Sequence, residues 1–301
     1  MRALRRSTSS EAALSSLAPE VVVGDILNPA SLRSAMDGCE LVFHAAAISQ
    51  YWRNGVDLLY RVNVAGTRNV LRTALKLGVD RVVLTSSVAT LGVPTADNAL
   101  LTESTDYNMV PDRFHYGHSK LLAEAELHRI AASGLDVICV NPSTVIGARD
   151  VNFIGGEILR RARKGWLWLA PPGGMGVVSA KHVGLGHVLA AELGRSDERY
   201  ILNGENILHR DLLAIVAAEV GGRPPLFTFP KSALTGTAAA ARAISKLRGV
   251  SLPTVFTQAD LSARKMYFDG HKARRELGVP QSTARVAVRE AWLWYRQEGM
   301  L

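Results

Sequence analysis

The chain has 301 residues, 48% of them hydrophobic and 21% charged, enough to bury a large core as one domain or as a main domain with a smaller lobe. No apolar run is long enough to cross a bilayer, and two cysteines, Cys39 and Cys139, exclude a disulfide framework or a cysteine metal cluster and point to a reducing, cytoplasmic setting. The formal charge of +8 comes from scattered basic residues without interleaved aromatics, which argues against nucleic acid and for a small anionic ligand.

The first ten residues are rich in arginine and serine, but no apolar core follows them in the manner of a secretory signal. Val21 to Ile26 is a short β-branched run ending in an acid, the pattern of a buried parallel strand that reaches the carboxyl edge of its sheet, where ligands bind. Asn28 and Pro29 then start a helix through Met36. Leu41 to Ala47 repeats the strand pattern, with Ala45, Ala46 and Ala47 leaving room for a ligand close against the backbone; His44 reads as a structural histidine. Val62 to Leu77 is an amphipathic helix with Leu71, Ala74 and Leu75 inward, stopped by Gly78. Arg81 to Leu84 is the next strand and delivers Thr85, Ser86 and Ser87. A long polar loop from Pro94 to Phe114 precedes a helix carrying Tyr116, and Asp136 to Val140 is a further strand ending in Asn141-Pro142-Ser143-Thr144.

Tyr116 and Lys120 stand four apart, so on a helix both side chains leave one face and the ammonium lies beside the phenol. A neighbouring cation favours the phenolate and suits the tyrosine to proton exchange nearer neutrality. Ser87 at a strand end is placed to hydrogen-bond a carbonyl or alkoxide oxygen. The three together suit interconversion of alcohol and ketone.

Beyond Val151 the order is looser. Gly155 to Lys164 reads as a helix, Trp166 to Ala170 as a strand, Pro171 to Gly174 as a turn, and His182 to Leu193 and Asp211 to Gly221 as helices. Arg199 to Gly204 is a strand and turn. Arg160, Arg161, Arg163 and Lys164 make the densest basic cluster, read as a solvated helix face. The alanine-rich stretch from Ala233 to Val250, with Arg242, Lys246 and Arg248, is expected to pack over a substrate cleft rather than lie on a membrane. Trp292, Trp294 and Tyr295 are expected in the core of the smaller lobe.

The serine at a strand end, the Tyr116-Gly117-His118-Ser119-Lys120 run and the strand-end motifs resemble the extended branch of the short-chain dehydrogenase/reductase superfamily, closest to dihydroflavonol-reductase-like proteins and to hopanoid-associated sugar epimerases. The resemblance implies an α/β fold: a Rossmann-like, doubly wound parallel sheet over residues 1–150 and mainly a substrate lobe over 151–301, with segments returning to the sheet. It implies NAD or NADP as cofactor and hydride transfer to or from a ketone, aldehyde or alcohol. Tyr116 would move the proton, Lys120 would tune Tyr116 and hold the nicotinamide ribose, and Ser87 would orient the oxygen. Arg6 would face a 2′-phosphate, tilting the choice to NADP, and Asp25 with Ile26 would contact adenine. Ala45, Ala46 and Ala47 would line the nicotinamide ribose, Asn63 would brace the site, and Ser86, Pro142, Ser143 and Val145 would lie on the cofactor side.

The sequence departs from the family in lacking a Gly-x-x-Gly-x-x-Gly turn. The expectation is a chain that begins late, without the first strand and helix, with a central sheet position empty and weak or absent dinucleotide binding. Lys181-His182 replaces an acidic pair common in the related group, which argues against carrying over that group's substrate. Two alternatives stand beside the reductase: a nucleotide-sugar 4-epimerase or dehydratase, with the arginines near Arg160 serving the diphosphate, and a non-catalytic binding protein. A homodimer through the helix from Val62 and the Tyr116 helix is expected from the family.

Overall fold

The structure, a computed structural model, describes residues 1–10, 14, 17–49, 54–248 and 259–301, with residues 238 and 241–248 described by backbone alone. Strands β1 (Arg2–Arg5) and β2 (Glu20–Val23) pair in parallel. Asn28 caps α1 (Pro29–Met36), its side-chain oxygen accepting from the Ala30 amide at 3.0 Å. After β3 (Leu41–His44), the helix expected from Val62 is composite: α2 (Val56–Tyr60), a wider turn over Arg61–Gly66, then α3 (Thr67–Leu77). Gly66 lets that turn pack closely on Ile26, since a Cβ there would lie 2.5 Å from Ile26 Cδ1 and push that side chain aside. Gly78 closes α3 in the left-handed conformation, φ 69°. Then come β4 (Arg81–Thr85), α4 (His115–Ala131), β5 (Asp136–Pro142) and β6 (Thr144–Ile146).

The second half holds α5 (Glu157–Arg163), β7 (Leu169–Ala170), β8 (Gly174–Ser179), α6 (Ala180–Leu193), β9 (Arg199–Leu202), β10 (Glu205–Leu208) and α7 (His209–Val220). It continues with β11 (Phe227–Thr228), α8 (Lys231–Arg248), β12 (Lys265–Met266), α9 (His271–Leu277) and α10 (Ala284–Gln297). The strand expected over Trp166 to Ala170 shrinks to β7, which among the described residues pairs only with the equally short β11; Trp166 and Trp168 are 64% and 61% exposed. The helix expected from Ala233 is α8, while the side chains of Arg242, Lys246 and Arg248, and Val250 itself, lie outside the described residues.

The sheets explain how the site is presented. The main sheet runs β3-β4-β5-β9, all parallel, with β9 returning from the second half to lie on β5. A second sheet runs β10-β8-β12 with β6 added on β8, so β6 from the first half builds the lobe. The β1-β2 pair is separate. Leu4 of β1 and Val42 of β3 pack on the same core as Leu32, Leu71 and Leu84, yet no ladder joins β1 to β3 among the described residues. This revises the expectation of a buried strand at Val21 to Ile26. Val21 and Val23 are 40% and 56% exposed, and Leu41 and Phe43 of β3 are exposed beside them. Helices α1 and α3 cover one face there, whereas α6 covers the other face over β4, β5 and β9.

Tyr295 is fully buried in the lobe core, with Trp292 and Trp294 packed around it, as expected. His44 is also buried, its Nε2 3.0 Å from Thr67 Oγ1. Burial first, then the charge of Lys120, pushes its imidazole from the ordinary 6.5 down to about 3. Below pH 6.5 the unfolded chain takes up a proton that the fold refuses, so stability is lost on acidification. His44→Gln is therefore expected to reduce the loss of unfolding free energy between pH 6.5 and 5 by about 2 kcal/mol, read by urea unfolding; equal losses in variant and wild type would contradict the burial.

Candidate functional site

Three chain segments converge at the carboxyl edge of the main sheet: the end of β4, the end of β5 and the first turns of α4. Close approach of α4 depends on Gly117, where a Cβ would meet Ala89 O and the Phe114 ring, each at 2.7 Å. The Val88–Leu91 turn, which carries Ser87 at its start, thus lies directly against the Tyr116 helix. Ser87 Oγ accepts from the Ala89 amide at 3.2 Å and so retains its hydroxyl hydrogen to donate. Tyr116 is half-buried, its ring edge-on to Phe114 with centroids 6.0 Å apart.

Lys120 is 2% exposed, and its Nζ donates to the Thr85 carbonyl at 2.7 Å. Burial lowers its ammonium from the ordinary 10.5 to about 8, against the opposing pull of Cys139 and Glu124. Asn63, fully buried, is a clamp. Its side chain exchanges two hydrogen bonds with the Ile48 backbone, at 2.7 and 3.1 Å, and donates to Ser119 Oγ at 3.0 Å. Ser119 Oγ in turn donates to the Tyr116 carbonyl at 2.8 Å. The loop after β3 is thereby fixed to the first turn of α4.

The other expected site residues divide into two groups. Ala45, Ala46 and Ala47 are exposed at the end of β3, Val145 is 37% exposed, and Pro142 is buried at the end of β5. Ser143 is 5% exposed with a buried hydroxyl oxygen that has no partner. Farther along the edge, Asp25 accepts from the Leu27 amide at 2.8 Å, Ile26 packs under Gly66, and Arg6 is exposed just beyond β1. Ser86 turns inward, donating its hydroxyl to the Glu124 carboxylate and its amide to the Val140 carbonyl at 2.7 Å, so both its donors are committed within the fold. A nicotinamide cofactor fits the first group. Ser143 Oγ, a buried oxygen without a hydrogen-bond partner just past the end of β5, is a group that a ribose or carboxamide reaching this edge would satisfy. For the pyrophosphate, the 301 residues offer no Gly-x-x-Gly-x-x-Gly turn.

Sequence reasoning missed the groups behind this corner: Glu124, Arg199 and the Thr85 carbonyl. One signal was present, since Tyr116, Lys120 and Glu124 follow each other at intervals of four along a single helical stripe. The loop from Pro94 to Phe114 meets the Tyr116 helix through Tyr107, whose ring lies 6.3 Å from that of His118, and Tyr60 Oη lies 2.8 Å from Nδ1 of the same histidine. The loop also walls a cavity of about 160 Å³ with Lys231, Asp260, Arg264 and Lys265 of the lobe. Of the basic cluster, Arg160 and Arg161 pair with Glu157, while Arg163 and Lys164 lie over the rings of Trp292 and Trp166. The buried ammonium has a measurable signature. Between about pH 8 and 10.5 the unfolded chain holds a proton that Lys120 has lost in the fold, so wild-type stability rises with pH. The stability of Lys120→Met relative to wild type should therefore fall by about 1.5 kcal/mol between pH 8 and 9.5 in urea unfolding; a gap independent of pH would contradict the burial of this charge.

Comparison with known proteins agrees with this geometry. The model of the NAD dependent epimerase/dehydratase family matches residues 1–165. A dihydroflavonol 4-reductase-like protein of Synechocystis sp. is 36% identical over 306 residues, covering 99% of this chain and 88% of that protein. The crystal structure of gox2253 is 33% identical with a TM-score of 0.90, covering 100% of this chain and 91% of that one. A nucleoside-diphosphate-sugar epimerase from Pseudomonas aeruginosa, 24% identical with a TM-score of 0.79 over 100% and 90% of the two chains, shares the fold. The parallel α/β sheet is thus Rossmann-like, and the chain belongs to the NAD dependent epimerase/dehydratase family, enzymes of the short-chain dehydrogenase/reductase superfamily.

Proposed function

We propose that the protein is an NAD(P)-dependent oxidoreductase that interconverts a ketone or aldehyde and the corresponding alcohol, with NADP favoured by Arg6. The observation that carries the reading is the placement of Tyr116 and Lys120 on one face of α4, with Lys120 held on the Thr85 carbonyl beside Ser87. A bound nicotinamide supplies or accepts the hydride. The chain's own residues manage the oxygen. Ser87 donates a hydrogen bond to it, Tyr116 gives the proton as negative charge develops, and Lys120 keeps a positive charge one helical turn from the phenol. Asn63 holds the backbone of Tyr116 through Ser119, which limits drift of the proton donor.

Nucleotide-sugar 4-epimerisation is the second reading, favoured by the family match, since the same constellation can oxidise and re-reduce one carbon. Against it, Arg160 and Arg161 are already paired with Glu157 and are poor candidates for a diphosphate. Cofactor that stays bound through purification would favour the epimerase, and free exchange the reductase. For the reductase, Tyr116→Phe should lower kcat/KM for carbonyl reduction by a factor of about 100 to 10,000, mostly in kcat. Steady-state assays over a panel of ketones with NADPH and NADH read this directly; full turnover by Tyr116→Phe would refute the assignment.

A further inference from the structure

Behind the catalytic corner lies a buried carboxylate with no place in the reaction as described. Glu124 is 3% exposed, on the third turn of α4 and on the stripe that carries Tyr116 and Lys120. One of its oxygens accepts from Ser86 Oγ and from Asn141 Nδ2, the latter at 2.7 Å; the other lies 3.4 Å from Arg199 Nη1. Each partner belongs to a different strand end. Ser86 follows β4, Asn141 is in β5 and Arg199 opens β9.

The partners reach further into the site. Asn141 Nδ2 also donates to the Ser87 carbonyl at 3.1 Å and lies 3.2 Å from Thr90 Oγ1, so it grips both ends of the Ser87 turn. Arg199 donates to the Glu103 carbonyl at 2.6 Å and the Thr105 carbonyl at 3.3 Å, in the substrate-facing loop. One carboxylate therefore ties the Tyr116 helix to the Ser87 turn and to that loop. A structural ion pair would need none of these branches, and a buried ion pair by itself is weak evidence of added stability.

We propose that Glu124 is a positioning residue of this site: its buried carboxylate sets the register of α4 against the strand ends and holds the counter-charge that keeps Lys120 protonated. The proposal rests on the oxidoreductase reading for what is positioned, but its geometry does not. The groups facing Lys120 are the Thr85 carbonyl from β4, Cys139 from β5, His44 from β3, and Tyr116 and Glu124 from its own helix. Among them only Glu124 is a carboxylate; Cys139, itself pushed well above its usual range by burial, is a neutral thiol at neutral pH. The groups facing Glu124 are Arg199, Ser86, Asn141, Cys139 and, one turn back on its own helix, Lys120.

The test reads Lys120 directly, without substrate. In the full chain with isotope-labelled lysine, the Lys120 side-chain resonance, assigned with Lys120→Arg, is titrated by NMR. The wild-type midpoint is expected near 8, and Glu124→Gln, which keeps the shape and removes the charge, should lower it. An unchanged midpoint would overturn the counter-charge role. If Glu124→Gln does not fold, Glu124→Asp keeps the charge and shortens the reach. It should leave the midpoint near the wild-type value while accelerating amide exchange over residues 86–90 by about tenfold, and unchanged exchange would overturn the positioning role. Because neither readout needs turnover, a chain that reduces no carbonyl would refute the oxidoreductase reading and leave this result intact.

Discussion

The ammonium of Lys120 on the Thr85 carbonyl is the interaction around which the site is built. A cation that is 2% exposed is costly unless its protons are bonded and its charge is balanced. Its surroundings meet that demand: a strand-end carbonyl at 2.7 Å, a carboxylate one turn along its own helix, and a neutral histidine on β3. The parallel sheet supplies the carbonyl because β4 ends there while β5 continues beside it. Without the lysine, Glu124 would keep its bonds to Ser86, Asn141 and Arg199 but lose the cation one turn back along its helix.

The same demand organises the two halves of the chain. Arg199 reaches Glu124 only because β9 returns from the second half to pair with β5, and the lobe sheet is seated on β6 directly after the β5 end. The lobe and the main sheet are therefore linked through the end of β5 and through β9. The β1-β2 pair stands apart, sharing the α1 and α3 core but, among the described residues, no ladder with β3. The residues expected to meet the adenosine end, Arg6, Asp25 and Ile26, sit on or beside this pair, and those expected to meet the nicotinamide end sit at or past the ends of β3, β4 and β5, on α4 and on β6 of the lobe sheet.

Much of this was legible in the sequence wherever local chemistry decides the outcome. Asn28-Pro29 fixed the start of α1, Gly78 the end of α3, and the spacing of Tyr116 and Lys120 their common face. What was not legible depends on partners distant in sequence. The exposure of Val21 and Val23 follows from which helices cover which face, and β-branched residues read the same on a covered or an open face. The strand at Trp166 failed because its only partner among the described residues is two residues long. Glu124 was visible as an acid on the inward stripe, but its value comes from Asn141 and Arg199, 17 and 75 residues away.

The most direct test of the account is to map where a nicotinamide cofactor touches the chain. Amide NMR spectra of the full chain titrated with millimolar NADPH would report even a weak complex. The account predicts shifts at residues 45–48, 85–91, 116–120 and 142–146, lost in Lys120→Met. Shifts confined to the cavity beside Lys231 and Arg264, or none at these strand ends, would contradict it.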